Sequence, residues 1–250
     1  MQSWMKPAEA LLLKLSLHSS SINKLMSPVP LFKDENGNIL SIQDISSIYV
    51  LSRAQIECYL TLYYFILSPS NDDEGEFKHL LYQLSGLSNR QNYYCTMPES
   101  IAKKQQEASD IARLRQQISN NVWYQNLPSE DRRKVDKVNP PSRLLGWERI
   151  IESTRFKETH LAPSWKLYSN HAHSEFIGTI QFTGYLSDNT GLKKTLYHTL
   201  ELTIMIMCVT ITELLNLFPV IADAYEALVS IKDRTYVCYW THVGLKEGLH

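Results

Sequence analysis

The sequence has few cysteines and few glycines for its length. Its four cysteines, Cys58, Cys95, Cys208 and Cys238, lie far apart and form no C-x-x-C pair. Neither a disulfide framework nor a zinc knuckle is therefore expected, and a reducing compartment fits. Nine glycines and ten prolines in 250 residues are too few for the many turns of a β-sandwich or β-barrel. Long helices with few connections are the expected alternative.

An excess of basic charge is also missing. The 25 basic residues are balanced by 26 acidic ones, which gives a formal net charge of −1. A surface that binds duplex DNA normally carries a basic excess because it must neutralise phosphates, so no duplex DNA partner is expected. The chain contains no P-loop, no G-x-G-x-x-G and no G-x-S-x-G, and we expect no cofactor.

The N-terminus lacks the features of a secretion signal. No basic region precedes its apolar run, and Lys14 interrupts that run directly after Leu11, Leu12 and Leu13. The segment therefore predicts an amphipathic helix. Together with the cysteine usage, this favours a cytoplasmic location.

The composition and hydrophobic periodicity predict an all-α fold. With 44% apolar and 20% charged residues, the chain is typical of a globular protein. We predict a single helical bundle domain over 1–250, with an N-terminal helix and loop over 1–40. A helical core follows over 41–231, with a polar excursion near 125–141, and a C-terminal tail covers 232–250. The turn DENGN at 34–38 lies in the N-terminal part.

Two long helices dominate this prediction. The segment from Ser41 to Leu67 has helical period and is apolar on nearly every face, which is typical of a central helix. The run 202–222 has the length that a bilayer requires, but Glu213, Asn216 and Pro219 favour a buried core helix over a membrane span. The other helices are predicted over 77–94, 98–123, 142–160, 164–173 and 192–231, the last interrupted at Pro219.

Two groups of polar residues interrupt apolar helix faces. Arg53 and Glu57 are one turn apart in LSRAQIECYL, where apolar neighbours suggest burial and an unpaired charge would cost several kcal/mol. Tyr168, Ser169 and His173 lie in WKLYSNHAHSEF, and a neutral histidine there could transfer a proton near pH 7. Each group fits either a structural role or a catalytic or ligand-binding one.

The two motifs together resemble those of a known protein family. The pattern R-x-x-x-E in an early apolar helix, followed by Y-S-x-x-x-H and a long apolar closing helix, resembles an uncharacterised family of bacterial helical proteins. That family is discussed beside the HEPN superfamily (higher eukaryotes and prokaryotes nucleotide-binding domains). The resemblance covers roughly 41–231 and implies a HEPN-like helical fold. It makes His173, Arg53, Glu57, Ser169 and Tyr168 the candidate catalytic residues.

HEPN proteins include metal-independent ribonucleases that act as toxins and in antiphage defence, with an Arg, four to six residues, then His signature at a dimer interface. The chain contains one match, Arg155 to His160 in RFKETH. It lies upstream of His173, which is the histidine that the resemblance identifies as the candidate catalytic residue. The pair Arg155 and His160 is therefore the alternative catalytic pair, expected to act within one helix.

Two functions remain open. The first is an interaction module that docks a protein partner or a second copy of itself, with the aromatic residues Trp123, Tyr124 and Trp240 as contacts. The second is a ribonuclease or nucleotide-binding effector. His171 and His173 could contribute metal ligands, but no nearby carboxylate completes a convincing set, so no metal is expected.

Overall fold

The structure, a computed structural model, describes residues 2–37, 39–187 and 189–246. The fold is all-α, as predicted. Its described part contains the helices α1 Ala8–Leu25, α2 Ile45–Leu62, α3 Asp72–Gln91, α4 Pro98–Asn120, α5 Val122–Gln125, α6 Ser129–Val135, α7 Trp147–Ser153, α8 Leu161–Ala172, α9 Phe176–Ser187, α10 Asn189–Leu217, α11 Pro219–Leu228 and α12 Ile231–Lys246. A 3-10 turn (Ser3–Met5) precedes α1, and a π-helical turn (Tyr63–Leu67) follows α2.

The chain divides into two compact units. The first, here the middle unit, comprises Met1–Ala8 and Tyr64–Gly146; the second, here the flanking unit, comprises Glu9–Tyr63 and Trp147–His250. Each has its own buried residues. The sequence predicts a single domain over 1–250, and this division into units does not test that prediction.

The middle unit is built on α3 and α4, which pack against each other. Helix α3 begins at an Asn71 cap, whose side chain accepts a hydrogen bond of 2.9 Å from the Glu74 backbone amide. The buried core comes from three helices and consists of Phe77, Leu80, Leu81, Leu84, Leu114, Ile118 and Val135. Trp123 and Tyr124, expected as partner contacts, are partly buried and pack against this core because α5 folds back onto α3 and α4.

The flanking unit is built around α2. Asp44 begins this helix by accepting a hydrogen bond of 3.0 Å from the Ser47 amide. Helix α2 packs against α7, α8 and α10, while α12 packs along α10. Because neighbours surround it, α2 buries residues on most of its faces, as its sequence predicts: Ile45, Ile48, Tyr49, Ser52, Gln55, Ile56, Cys58, Tyr59, Leu60 and Leu62.

A β-hairpin lies where the sequence predicts only a turn. Strands β1 (Val29–Lys33) and β2 (Ile39–Ile42) pair antiparallel, with a bulge between Pro30 and Phe32. The described part of the turn contains a 3.0 Å bond from the Gly37 amide to the Asp34 carbonyl, and Gly37 has a φ of +85°. Asn38, the last residue of the predicted turn, lies outside the described residues.

Two of the differences from the prediction concern the segments 142–160 and 232–250. The segment 142–160 is helical only in α7, because the Thr154 hydroxyl accepts a 3.1 Å bond from the Phe156 amide and so competes with the helix ladder. The tail predicted over 232–250 is helical through Lys246, because α12 packs along α10. Its residues 247–250 lie outside the described residues.

One helix of the described chain, over Thr190–Leu217, is long and apolar enough to cross a membrane, with a mean hydropathy of 1.7. Of its most apolar stretch, 44% is buried inside the structure. A core helix of a soluble protein has the same two properties, so the helix is weak evidence for a membrane span.

Candidate functional site

Helix α2 supplies the charged pair of the candidate site. Arg53 and Glu57 are one helical turn apart, and Arg53 Nε lies 3.0 Å from Glu57 Oε1. Their side chains are 22% and 29% exposed, so solvent reaches both. The spacing alone predicts this partnership, since residues i and i+4 are neighbours on a helix surface.

Helix α8 and its C-cap residue supply the other side chains of the candidate site. Trp165 Nε1 donates a 3.0 Å hydrogen bond to Glu57 Oε1, the same oxygen that binds Arg53. Arg53 Nη1 lies 3.0 Å from Nε2 of His173, which is exposed. These four side chains, named here the Arg53 cluster, join α2 to α8 through two separate polar contacts.

The contact with Arg53 defines the hydrogen positions of His173. A guanidinium has donors only, so His173 Nε2 must accept and carries no hydrogen in this arrangement. A neutral His173 then holds its hydrogen on Nδ1. The lone pair of Nε2, the atom that a general base uses, therefore points at a cation at the protein surface.

A backbone motif places His173 at the end of α8. The Glu175 amide donates 2.9 Å to the Asn170 carbonyl, and the Ser174 amide donates 3.2 Å to that of His171. These two bonds form a Schellman C-cap, in which the residue after the C-cap adopts the left-handed conformation. That residue is Ser174, with a φ of +51°, where glycine is usual.

Two predicted site residues do not join the cluster. Tyr168 is buried, its ring stacks on Tyr49 at 4.6 Å, and its hydroxyl lies 3.2 Å from Thr199 Oγ1. Burial raises the pKa of Tyr168 to about 12. The Ser169 hydroxyl donates 3.0 Å to the Trp165 carbonyl within α8. Tyr168 is therefore a core residue, and the Ser169 hydroxyl is bound to its own helix.

The alternative pair is not on one helix. Helix α7 ends at Ser153 and α8 begins at Leu161, so Arg155 and His160 lie in the segment between them. The imidazole of His160 lies 6.4 Å from that of His198, while the charge of Arg155 acts on Tyr59 and Glu213. The expectation that Arg155 and His160 act within one helix is therefore wrong, because Thr154 ends α7 before both.

His171 points into the protein rather than towards His173. It is buried, with Nε2 3.1 Å from Gln181 Oε1 and its ring 4.5 Å from that of Tyr49. Burial lowers the pKa of His171. In the part of the chain that the structure describes, no group of three or more His, Cys, Asp or Glu residues could hold a metal ion.

A second polar contact of the flanking unit was not predicted. Tyr59 donates a 3.2 Å hydrogen bond to Glu213 Oε2, a carboxyl on the apolar helix α10. Burial raises the pKa of Glu213 to about 7, although the Tyr59 bond and the Arg155 charge act in the opposite direction. The carboxylate of Glu213 inside an otherwise apolar run is the sign of this contact in the sequence, although by itself it indicates only a core helix rather than a membrane span.

The geometry therefore brings together Arg53, Glu57 and His173 and adds Trp165. It leaves out Tyr168, Ser169, Arg155 and His160. The resulting surface holds a cation, an oriented carboxylate and an imidazole with its lone pair defined. No family model, curated protein or solved structure matches the chain.

Proposed function

We propose that the flanking unit is a metal-independent ribonuclease whose site is the Arg53 cluster. The contact of 3.0 Å between Arg53 Nη1 and His173 Nε2 carries the proposal. RNA cleavage through the ribose 2′-hydroxyl requires a base for that hydroxyl and a cation for the charge that develops on phosphorus. An imidazole and a guanidinium in contact at the surface meet both requirements.

The phosphate of the substrate takes the place of the imidazole as the acceptor for Arg53. Guanidinium binds phosphate oxygens through parallel N–H donors, and Glu57 keeps it oriented from the opposite edge. This exchange frees His173 Nε2, since that atom no longer accepts from Arg53. Trp165 holds the carboxylate of Glu57, so its role is to position the cation.

Cleavage follows from these positions. His173 Nε2 takes the proton of the 2′-hydroxyl, and the oxygen attacks the adjacent phosphorus. The bond from phosphorus to the 5′-oxygen breaks, and that oxygen leaves with the proton from the imidazolium. The products are a 2′,3′-cyclic phosphate and a 5′-hydroxyl end, and His173 returns to its neutral form.

The test uses the purified full chain and a labelled single-stranded RNA in EDTA. We expect cleavage with cyclic phosphate ends, detected by mass spectrometry, and an intact DNA strand of the same sequence because it lacks the 2′-hydroxyl. His173→Gln should lower the rate at least 100-fold, as loss of a general base typically does. Arg53→Lys should lower it less, because lysine keeps the charge but not the paired donors.

The matched control is His160→Ala, which removes the other candidate histidine and should leave the rate unchanged. Thermal unfolding of each variant shows that the fold is intact. An uncut RNA with wild-type protein, or equal rates for wild type and His173→Gln, would overturn the proposal. Loss of cleavage in His160→Ala would transfer the catalytic role to that residue.

A second candidate, self-association or docking of a protein partner, is favoured by the surface of α9. Phe176, Ile177 and Ile180 are 76%, 51% and 53% exposed, and they follow His173 closely in the chain. Exposed apolar groups of this kind occur at protein interfaces. Light scattering should give a dimer mass that Ile177→Glu reduces to a monomer; a monomer at all concentrations would contradict self-association. A cytoplasmic location belongs to both candidates.

A further inference from the structure

We propose that the middle unit binds single-stranded nucleic acid in the groove between α3, α4 and residues 134–142. The groove has a volume of about 1250 Å³. Pockets for one drug-sized molecule typically measure roughly 300–1,000 Å³, so the space suits a chain of several linked units. None of its lining residues belongs to the Arg53 cluster, and the proposal does not depend on ribonuclease activity.

The charged lining of the groove is mostly basic. Arg90, Arg113, Lys134 and Lys137 line it, against one lining acid, Asp110. Arg90 is held in place by Glu107, a 6% exposed carboxylate, with Arg90 Nε 2.9 Å from Oε2. This fixed guanidinium still has 43% of its side chain exposed.

The other cations are available to a ligand. Arg113 binds Asp110 at 2.8 Å with 68% of its side chain exposed. Lys134, with 38% of its side chain exposed, binds Asp131 at 2.9 Å and Glu130, itself 82% exposed, at 3.3 Å. Surface pairs at this spacing contribute little to stability, so a phosphate can replace these carboxylates as the partner of Arg113 or Lys134. Lys137 is exposed at the edge of the groove.

Two tyrosine rings supply flat surfaces in the same groove. Tyr93 follows the end of α3 and is 65% exposed, and Tyr82, on α3, is 37% exposed and supported from behind by Phe65 at 4.6 Å. Nucleobases stack on such rings whatever their sequence. A ligand that needs both phosphate partners and ring partners is a nucleic acid strand with unpaired bases, whereas an acidic peptide would use the cations alone.

The groove is preformed. Arg115 Nη2 donates 2.8 Å and 3.0 Å to the Lys137 and Val138 carbonyls, and the Tyr124 hydroxyl donates 2.7 Å to Asp136. These contacts fix the wall 134–142 to α4 and α5. The buried side chain of Leu114 contributes to the floor. Because the groove is already ordered, ligand binding does not incur the entropy cost of ordering its walls.

The test measures fluorescence anisotropy of labelled single strands of about eight nucleotides, within the roughly 4–16 that nucleic-acid grooves cover. The labelled ligands compared are single-stranded RNA, single-stranded DNA, duplex DNA and an acidic peptide of equal charge. His173→Gln is used throughout to prevent cleavage at the proposed catalytic site. We expect both single strands to bind and the duplex and peptide to bind at least tenfold more weakly. Tight peptide binding would overturn the proposal in favour of a protein ligand.

The variants separate charge from stacking. Lys137→Gln should reduce the slope of log K against log salt by about 0.7, the value for one phosphate contact on a single strand. Tyr93→Ala should weaken binding about tenfold, whereas Tyr93→Phe keeps the ring and the affinity. The matched control is Tyr94→Ala, the neighbouring 92% exposed tyrosine outside the groove lining, which should bind like wild type.

Gly86 provides a test that does not remove any contact. It lines the groove on α3, and a Cβ there would meet nothing within 4 Å. Gly86→Glu places a carboxylate in the groove and should abolish binding, while Gly86→Ala should not change it. Equal binding by Gly86→Glu and wild type, or equal losses for Tyr93→Ala and Tyr94→Ala, would overturn the groove as the binding site. If His173→Gln abolishes RNA cleavage but still binds single strands, the catalytic site and the binding groove are separate, so the two proposals can fail independently.

Discussion

Arg53 Nη1 lies 3.0 Å from His173 Nε2, although 120 positions separate the two residues in the chain. The contact joins the central helix α2 to the C-cap residue of α8. Glu57 and Trp165 form the second polar contact between the same helices. The candidate site is therefore also a joint of the fold, and changes in it should be measured on both stability and activity.

The joint predicts energetic coupling between Glu57 and Trp165. We expect the losses of unfolding free energy in Glu57→Ala and Trp165→Phe to be non-additive by about 0.5–1.5 kcal/mol, because each variant breaks the same hydrogen bond. Urea unfolding of the four proteins of the cycle measures this. Glu226→Ala, an exposed carboxylate on α11, is the control and should add to Trp165→Phe without coupling. Additivity in the Glu57 cycle would contradict the contact.

The Schellman cap predicts a stabilising substitution next to His173. Ser174→Gly should raise the unfolding free energy by about 0.5–1 kcal/mol, because glycine adopts the left-handed conformation without the steric cost of a Cβ. This corresponds to an increase of roughly 1–4 °C in Tm for a chain of this size. Ser174→Ala keeps the Cβ and should give no such gain. A lower Tm for Ser174→Gly would show that the serine side chain itself stabilises the cap.

Two glycines of α3 give opposite predictions. A Cβ on Gly75 would lie 2.6 Å from Cε2 of the buried Trp4 ring, whereas one on Gly86 meets nothing. Gly75→Ala should therefore destabilise the middle unit by about 1–3 kcal/mol through overpacking. Gly86→Ala should stabilise it by up to about 1 kcal/mol through helix propensity. Thermal unfolding of both variants compares them, and equal signs would contradict the packing of Trp4 on α3.

The parts of the site that were predictable from the sequence are those that depend on helical spacing. Arg53 and Glu57 are i and i+4, and Trp165, Ser169 and His173 repeat the same interval on α8. The Y-S-x-x-x-H motif places Tyr168 in the site beside Ser169, but neighbours on a helix point about 100° apart. That rotation directs Tyr168 into the core against Tyr49.

The rest depended on contacts that are distant in sequence or on backbone turns. The end of α7 follows from the hydroxyl of Thr154, which competes with the helix only when its rotamer and backbone allow. The hairpin, by contrast, had a usable sign, because Asn36 and Gly37 separate two short apolar segments, a pattern typical of β-hairpins. The partnership of Tyr59 with Glu213 required α2 and α10 to pack together, which no local pattern specifies.

Glu213 predicts a stability that falls as the pH rises. Burial raises its pKa in the folded protein to about 7, well above its ordinary 4.5. Between these two values the folded chain keeps a proton that the unfolded chain has lost, so unfolding releases a proton. The stabilising contribution of the protonated carboxyl is complete below about pH 4.5 and disappears as the pH rises through 7. The change amounts to roughly 3–4 kcal/mol, since the two pKa values differ by about 2.5 and one pKa unit corresponds to about 1.4 kcal/mol.

Glu213→Gln tests this directly, because glutamine keeps the shape and can still accept from Tyr59 without taking a charge. The variant should be more stable than wild type by about 3 kcal/mol at pH 8 and by less than about 1 kcal/mol at pH 5, as linkage requires. Asp223→Asn, at a carboxylate of α11 outside this contact, is the control and should not alter the pH dependence. Urea unfolding at both pH values measures the difference. A variant that is destabilised equally at pH 5 and pH 8 would mean that Glu213 is buried as a stabilised anion, contrary to its raised pKa.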